Sequence, residues 1–445
     1  VSAKMFKISL YLPSQGAAEN EATITKWNVA PGDSFEKGSI LAEIESAKAS
    51  FDFEAPCQGT VIKLLFLEAE TVSFEVPVME IETDDKTMKN DIPVAGSLGS
   101  PGPQKGGNDP KFQVETRSGE PVTIDRICIL GIGGYLPERV VTNKELLKDF
   151  PALTEEYMEG VTGIKERRWA KDGEKPSEMA FKASMEALRK SGMNATEIGA
   201  IVLSTETPDM AMPSTACILQ DMLGIRGIPA FDMHAACSGW LYGISVARGL
   251  ITSGVTDNIL VVSTEMQSQL LDKTDMGTYF LFGDGAGATV VSGSRRGHPI
   301  KRVLLKADSK GLYLAQRIVP GYKILFGIEN FNPWIRLDGH AMFRFATEGF
   351  STIIRDVIQK SGWQLEDVQW VVPHQANRRI LKAAAQRSGI SFEHFYINID
   401  KLGNTSSASV PHAILDLEKD LHKGDKLVLC SVGAGVTIAA LTIEW

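Results

Sequence analysis

Cysteine is scarce and scattered in this 445-residue chain: five residues, an odd number, at wide and irregular spacings. There is no CxxC pair, the usual sequence mark of a zinc site, and a disulfide framework would call for an even, clustered set. No metal is expected. Long apolar runs are missing as well. No stretch approaches the roughly 20 apolar residues that a membrane-crossing helix needs, and no basic segment followed by an apolar one opens the chain. Positive charge is also short, with 46 Lys and Arg against 55 Asp and Glu and a formal net charge of −9. Nucleic acid is therefore not an expected partner, and an acidic ligand would need a local basic patch. Reduced thiols without a membrane segment predict a cytoplasmic protein.

Two patterns of apolar residues fill the rest. Residues 1–83 read as short strands. Ala22–Val29 alternates, Pro31-Gly32-Asp33 supplies a turn, and Ile40–Glu45 leads into Ser46-Ala47-Lys48-Ala49. Ser50–Pro56 leads away, and a similar pattern restarts at Gly59-Thr60-Val61-Ile62. These are two stacked halves with Lys48 at a hairpin tip, an accessible place on a rigid support. Residues 84–118 then lose apolar periodicity in favour of Gly, Ser and Pro, the composition of a linker.

From residue 119 onward the pattern changes. Ile127–Gly133, Ala200–Ser204, Asn258–Ser263, Trp370–His374 and Lys426–Cys430 are continuous apolar runs, and they alternate with helical stretches at Ser177–Ser191, Ile244–Ser253, Phe350–Ser361 and 377–388. Strands that are apolar on both faces imply sheets covered by helices on each side, an α/β layered architecture. The halves are expected at 119–295 and 296–445.

Three residues stand in contexts suited to covalent chemistry. Cys237, in Ala235-Ala236-Cys237-Ser238-Gly239, precedes a helical run, where free backbone N–H groups favour a thiolate. His374 closes a buried strand, with Asn377 shortly after it. Asn404 sits in the glycine-led turn Gly403-Asn404-Thr405-Ser406, where a buried amide can donate without carrying charge. Taken singly, a core cysteine, a strand-end histidine and a turn asparagine remain the alternative. Gly283-Asp284-Gly285-Ala286-Gly287 is not a dinucleotide loop, because an apolar strand follows it rather than a helix.

Six segments in order within residues 124–445 resemble the β-ketoacyl-acyl-carrier-protein synthase III family. They are Gly133–Pro137, Thr162–Arg167, Asp232–Gly239, Phe282–Ala288, Pro373–Asn377 and Gly403–Ser406. The resemblance implies a thiolase-like, five-layered αβαβα core made of two related halves. It makes Cys237 the acylated nucleophile and gives His374 and Asn404 the carbonyl of a malonyl-type thioester. The backbone N–H groups of Cys237 and of Gly433-Ala434-Gly435 become an oxyanion hole. Tyr157 and Met276 stand where the family holds the adenine of coenzyme A, commonly with Trp and Arg, so a coenzyme A donor loses a guanidinium here. Lys165, Arg167 and Arg168 become phosphate or carrier-protein contacts, and Met212 a residue that reaches across a homodimer to shape the acyl pocket.

The N-terminal segment resembles the biotinyl/lipoyl attachment family, a small all-β flattened barrel, with Glu45-Ser46-Ala47-Lys48-Ala49 on the modification motif. The absence of flanking methionines favours lipoyl over biotin on Lys48, with Ala47 replacing the usual aspartate. Together the resemblances imply a 3-oxoacyl-thioester synthase that uses acyl-coenzyme A, acyl-carrier-protein or acyl-lipoyl donors, with acyl carrier protein and a lipoyl or biotin ligase as partners. A non-decarboxylating acyltransferase on the same three residues and a non-catalytic carrier or assembly protein are the other readings.

Overall fold

The computed structural model describes residues 5–12, 21–46, 50–73, 76–85, 124–318 and 332–445. The chain separates into two compact units, Val1–Gln113 and Val114–Trp445. Lys48 lies outside the described residues, as do residues 86–123, which include nearly all of the expected linker.

The first unit is two four-stranded sheets. One orders Phe6–Tyr11, Pro77–Thr83, Gly59–Leu64 and Ser34–Phe35; the other orders Ser50–Glu54, Ile40–Glu45, Glu21–Trp27 and Thr71–Ser73. Alternation sends one face of each strand inward, so Ile24, Leu41, Ile44, Val61, Val78 and Ile81 make a common core. At Pro31-Gly32-Asp33 the chain reverses with Gly32 at φ 98°, a left-handed conformation that glycine adopts without a side-chain clash. Ile40–Glu45 and Ser50–Glu54 pair antiparallel as far as Glu45 opposite Ser50.

The second unit is built on a nine-stranded sheet. Its order is Ala230–Met233, Ala200–Ser204, Asn258–Met266, Asp284–Ser292, Cys128–Tyr135, His298–Ala307, Thr437–Glu444, Lys426–Gly433 and Trp370–Pro373. Reading outward from the middle, the same sequence of pairings occurs twice. Cys128–Tyr135 meets two antiparallel neighbours in succession, then two parallel ones. His298–Ala307 does the same, with an isolated parallel bridge from Val371 to Phe395 in place of the last strand. The seam between the halves is only two residue pairs long, His298 opposite Ile129 and Pro299 opposite Cys128.

Helices complete the layers. The helix Pro176–Ser191 covers the outer face of the first half through Met179, Ala180, Ala183 and Ala187. Gly339–Lys360 and Arg378–Ser388 cover the outer face of the second. Between the halves lie two inner helices, Gly239–Thr252 and Ser409–Leu417. Trp240, Ile244 and Ile251 of one and Val410, Ile414 and Leu417 of the other join strand residues of both halves in one core. The result is the αβαβα stack of a thiolase-like fold, and its central helices are apolar nearly all round because they are buried nearly all round.

Each inner helix is entered through the same backbone knuckle. A 3-10 turn, Ala236–Ser238 or Ser406–Ala408, leads directly into the helix. The first residue of each turn is a non-glycine in the left-handed region, Ala236 at φ 46° and Ser406 at φ 49°. Such a conformation costs on the order of 1–3 kcal/mol and persists only where surrounding structure holds it.

Candidate active site

The two knuckles meet at one cavity. Cys237 follows Ala236 at the first knuckle, and Ser406 opens the second, with its hydroxyl 3.6 Å from Cys237 Sγ. Gly433 comes so close from a third direction that a Cβ there would lie 2.8 Å from Cys237 N. The turn Gly433-Ala434-Gly435 is therefore pressed against the backbone of the nucleophile, and Gly435 itself stands at φ 116°. His374, after the strand Trp370–Pro373, and Asn404, just before the second knuckle, also line the cavity. The cavity measures about 2160 Å³, large beside the 300–1,000 Å³ typical of a small-molecule pocket.

Burial sets the protonation states. His374 is enclosed, and desolvation lowers its pKa to about 3, only partly offset by a hydrogen bond with the Ser406 backbone. Its Nδ1 pairs with Ser409 Oγ at 2.6 Å. A Ser409 hydroxyl that donates to Nδ1 leaves the single ring proton on Nε2, and the imidazole is neutral at physiological pH. Asn404 Oδ1 accepts the Ser406 N–H at 2.8 Å, which fixes the amide orientation and leaves its NH₂ as the donor. Two neutral donors at a cavity wall suit a carbonyl that gains negative charge. Burial pushes the Cys237 thiol up to about 12, and Glu265 and Glu206 add to this; the Ser406 hydroxyl pulls the other way.

Two carboxyls went unnoticed in the sequence reading. Glu265, at 0% exposure, lies under the site near the end of the strand Asn258–Met266. Ser407 Oγ donates to its Oε1 at 2.6 Å, while Gln267 Nε2 and the Glu206 N–H donate to its Oε2 at 2.9 and 3.2 Å. Ser406 Oγ is 3.3 Å from Oε1 as well, so its one proton can serve either Glu265 or Cys237 at a time. Desolvation and the neighbouring Glu206 raise the Glu265 pKa to about 8. The available signal was a carboxylate shortly after the apolar run Ile259–Val262 in the same strand. Glu206 itself lines the cavity, as do the cations Lys175, Arg344 and Arg379.

The other sequence candidates fall in different places. Tyr157 and Met276 are about half exposed and line the cavity. Asn377 lines it too, but its amide caps the helix Arg378–Ser388 and donates to Val161 O at 3.1 Å. Lys165 is exposed and pairs with Glu159 at 3.3 Å, and Arg168 bonds the carbonyls of Pro137 and Glu138. Arg167 is corrected: it is fully buried and donates to Val141 O, Asn143 Oδ1 and Phe280 O, so its guanidinium cannot meet a phosphate or a carrier protein. Asp284 is structural, accepting from Ser268 and from Ala170 N. Met212, 82% exposed, is not on the cavity wall. Among the described residues no cluster of potential metal ligands occurs, and no helix is long and apolar enough to cross a membrane.

Comparison with known proteins agrees with this geometry. Residues 231–309 match the family model of 3-oxoacyl-[acyl-carrier-protein] synthase III, and residues 358–445 match that of its C-terminal region. Residues 9–81 match the biotin/lipoyl model described as biotin-requiring enzyme. The chain is 40% identical over 321 residues to the β-ketoacyl-[acyl-carrier-protein] synthase III of Neisseria meningitidis, covering 71% of this chain and 98% of that one. The Clostridium novyi enzyme of the same name is 38% identical over 329 residues, with 72% and 99% covered. The crystal structure of 3-oxoacyl-[acyl-carrier-protein] synthase III from Aquifex aeolicus superposes with a TM-score of 0.66 at 37% identity, spanning 72% of this chain and all of that one. A priming β-ketosynthase from the R1128 polyketide pathway gives 0.67 at 33% identity, with 72% and 96% covered. The chain belongs to the β-ketoacyl-[acyl-carrier-protein] synthase III family of condensing enzymes and carries a biotinyl/lipoyl-type attachment domain at its N-terminal side.

Proposed function

We propose that this chain makes a 3-oxoacyl thioester by decarboxylating condensation, with Cys237 as nucleophile and His374 and Asn404 as the carbonyl-binding pair. Cys237 sulfur attacks the carbonyl of an acyl thioester, and the donor thiol leaves with the proton. The N–H groups of Cys237 and of the Gly433-Ala434-Gly435 turn hold the oxyanion on this reading, which the close approach of Gly433 to Cys237 N supports. A malonyl-type thioester then binds with its carbonyl on His374 and Asn404. Its carboxylate departs as carbon dioxide, the bonding pair becomes an enolate, and the new carbanion attacks the acyl carbon as the bond to sulfur breaks. Cys237 leaves as the thiolate and takes a proton from solvent, which restores the thiol. The observation that carries this reading is the convergence of Cys237 from one half and neutral His374 with Asn404 from the other on one cavity.

The experiment supplies acyl and malonyl thioesters and follows carbon dioxide, the 3-oxoacyl product and the mass of Cys237. Carbon dioxide release in step with product supports the condensation. A Cys237 that is acylated but passes its acyl group to an amine or alcohol, with no carbon dioxide, replaces it with the acyltransferase reading.

Acyl carrier protein and a homodimer are the partners this reading entails, and Lys175, Arg344 and Arg379 on the cavity wall suit a phosphate-bearing carrier arm. Lys48 is the attachment lysine on this reading. In sequence it stands between two strands whose pairing ends at Glu45 and Ser50, which supports the attachment reading. Lipoyl is the favoured group and supplies a dithiol acyl carrier when present. Intact mass of the protein from its native host, with peptide mapping across residues 40–63, distinguishes lipoyl, biotinyl and free lysine.

A further inference from the structure

One wall of the cavity is not what a hydrocarbon chain requires. Adjacent parallel strands, Ala200–Ser204 and Ala230–Met233, deliver Glu206 and His234 to the same side of the nucleophile. Glu206 Oε1 accepts the N–H of Ala236, the residue directly before Cys237, at 2.9 Å. Its Oε2 lies 3.4 Å from His234 Nδ1, and its side chain remains a third exposed, toward the cavity it lines. Arg317 lines the same cavity close enough to feel the charge of Glu206, while its Nε donates to Pro333 O at 3.0 Å. Tyr157, Met276 and Asn377 belong to other elements, the helices Glu155–Thr162 and Met276–Tyr279 and the cap of Arg378–Ser388. Thus a carboxylate with acceptor capacity to spare lines the cavity and holds the N–H of the residue directly before Cys237.

We propose that Glu206, supported by His234, selects acyl groups that carry a hydroxyl near the thioester over plain alkyl groups of the same size. This deepens the condensing-enzyme reading and rests on it. An alkyl group pressed against Glu206 strips water from the carboxylate and returns no hydrogen bond. A hydroxyl donates to it and leaves the Ala236 and His234 contacts in place. Sites that present a polar group to a substrate hydroxyl discriminate strongly against the analogue that lacks it, whereas apolar pockets discriminate weakly. The wall is only partly enclosed, so a preference of at least about tenfold is expected rather than the larger factors of sealed sites.

The test compares 3-hydroxybutyryl and 3-methylbutyryl groups, which match in size, both presented as pantetheine thioesters to the full-length protein. The rate of Cys237 acylation is read by intact mass, with acetyl-pantetheine as a third donor. The hydroxylated donor is expected to react at least about tenfold faster, with Glu206→Leu inverting the order and Glu206→Gln, which keeps an acceptor oxygen, retaining part of the preference. Equal rates in the unmodified protein, or a faster 3-methylbutyryl group, would overturn the assignment while leaving the condensing enzyme intact. If none of the three donors, acetyl included, acylates Cys237, the condensing-enzyme reading itself fails and this one with it.

Discussion

At the scale of single residues, the site works by deciding where protons rest. His374 is neutral because burial has removed its charge, which leaves it a hydrogen-bond donor rather than a cation. Replacing His374 or Asn404 by alanine should leave acylation of Cys237 within about tenfold and lower carbon dioxide release by about a hundredfold or more, since one donor to a developing oxyanion is worth that much. Stopped-flow acylation and carbon dioxide assays on the same preparations separate the two steps. Glu265 has a thermodynamic consequence as well. Its folded-state pKa of about 8 lies above the ordinary 4.5, so between these values the folded chain holds a proton that the unfolded chain releases. Stability from this group is therefore fully present below pH 4.5 and declines as pH rises through 8. From pH 6.5 to 8 the loss amounts to roughly 1.5 kcal/mol. Glu265→Gln removes this component, so its urea midpoint should fall less than the parent's over that interval. Cys237, His374 and Asn404 were singled out through the motifs that carry the synthase resemblance, and the structure brings all three to one cavity. Glu265 and Glu206 were not legible, because a lone carboxylate beside an apolar strand looks the same whether it turns outward or inward. Arg167 misled for the same reason: its sequence neighbours Lys165 and Arg168 made a basic cluster, but alternate residues of the strand Glu166–Trp169 face opposite ways.

At the scale of elements, close backbone approach fixes how helices sit on strands. A Cβ on Gly133 would lie 2.2 Å from Ala183 O and 2.3 Å from Ala187 N, both backbone atoms of the outer helix Pro176–Ser191. Gly133→Ala must push that helix off its strand, at a cost of about 2 kcal/mol or more. Gly249 is the opposite case: it lies inside the inner helix Gly239–Thr252 with nothing within 4 Å of a prospective Cβ. Gly249→Ala should stabilise by roughly 0.5–1 kcal/mol, the ordinary helix-propensity gain. Denaturant midpoints of the two variants test both signs. Apolar patterning located the core strands to within a few residues: the continuous run Ala200–Ser204 and the segment Ile40–Glu45 both coincide with observed strands. Helix starts were harder. Gly339–Lys360 begins eleven residues before the expected Phe350, because Gly339-His340-Ala341-Met342-Phe343 offers no cap motif beyond Asp338, whose side chain accepts the Ala341 N–H. The knuckles at Ala236 and Ser406 were invisible, since neither is the glycine that a left-handed φ normally announces.

At the scale of the whole molecule, two units with separate hydrophobic cores predict two heat-absorption transitions in calorimetry, the smaller belonging to the all-β unit. A single transition would mean that the two units unfold as one. The division into a small β unit and a larger α/β unit was readable from a change in apolar period, 2 in the first and continuous runs in the second. The twofold repetition within the larger unit came from the resemblance to the synthase family, because its two halves share pairing order rather than sequence. The sheet seam between those halves, two residue pairs long and backed by the inner-helix core that both halves share, includes none of the residues that do chemistry. Yet the sulfur is carried by one half, and the hydroxyl 3.6 Å from it, the imidazole and the amide by the other. Such an arrangement makes the enzyme a gauge of its own assembly. A slip of a few tenths of an ångström between the twin halves would leave each of them folded and silence the reaction, so turnover should report on the fit of this join well before any measure of unfolding does.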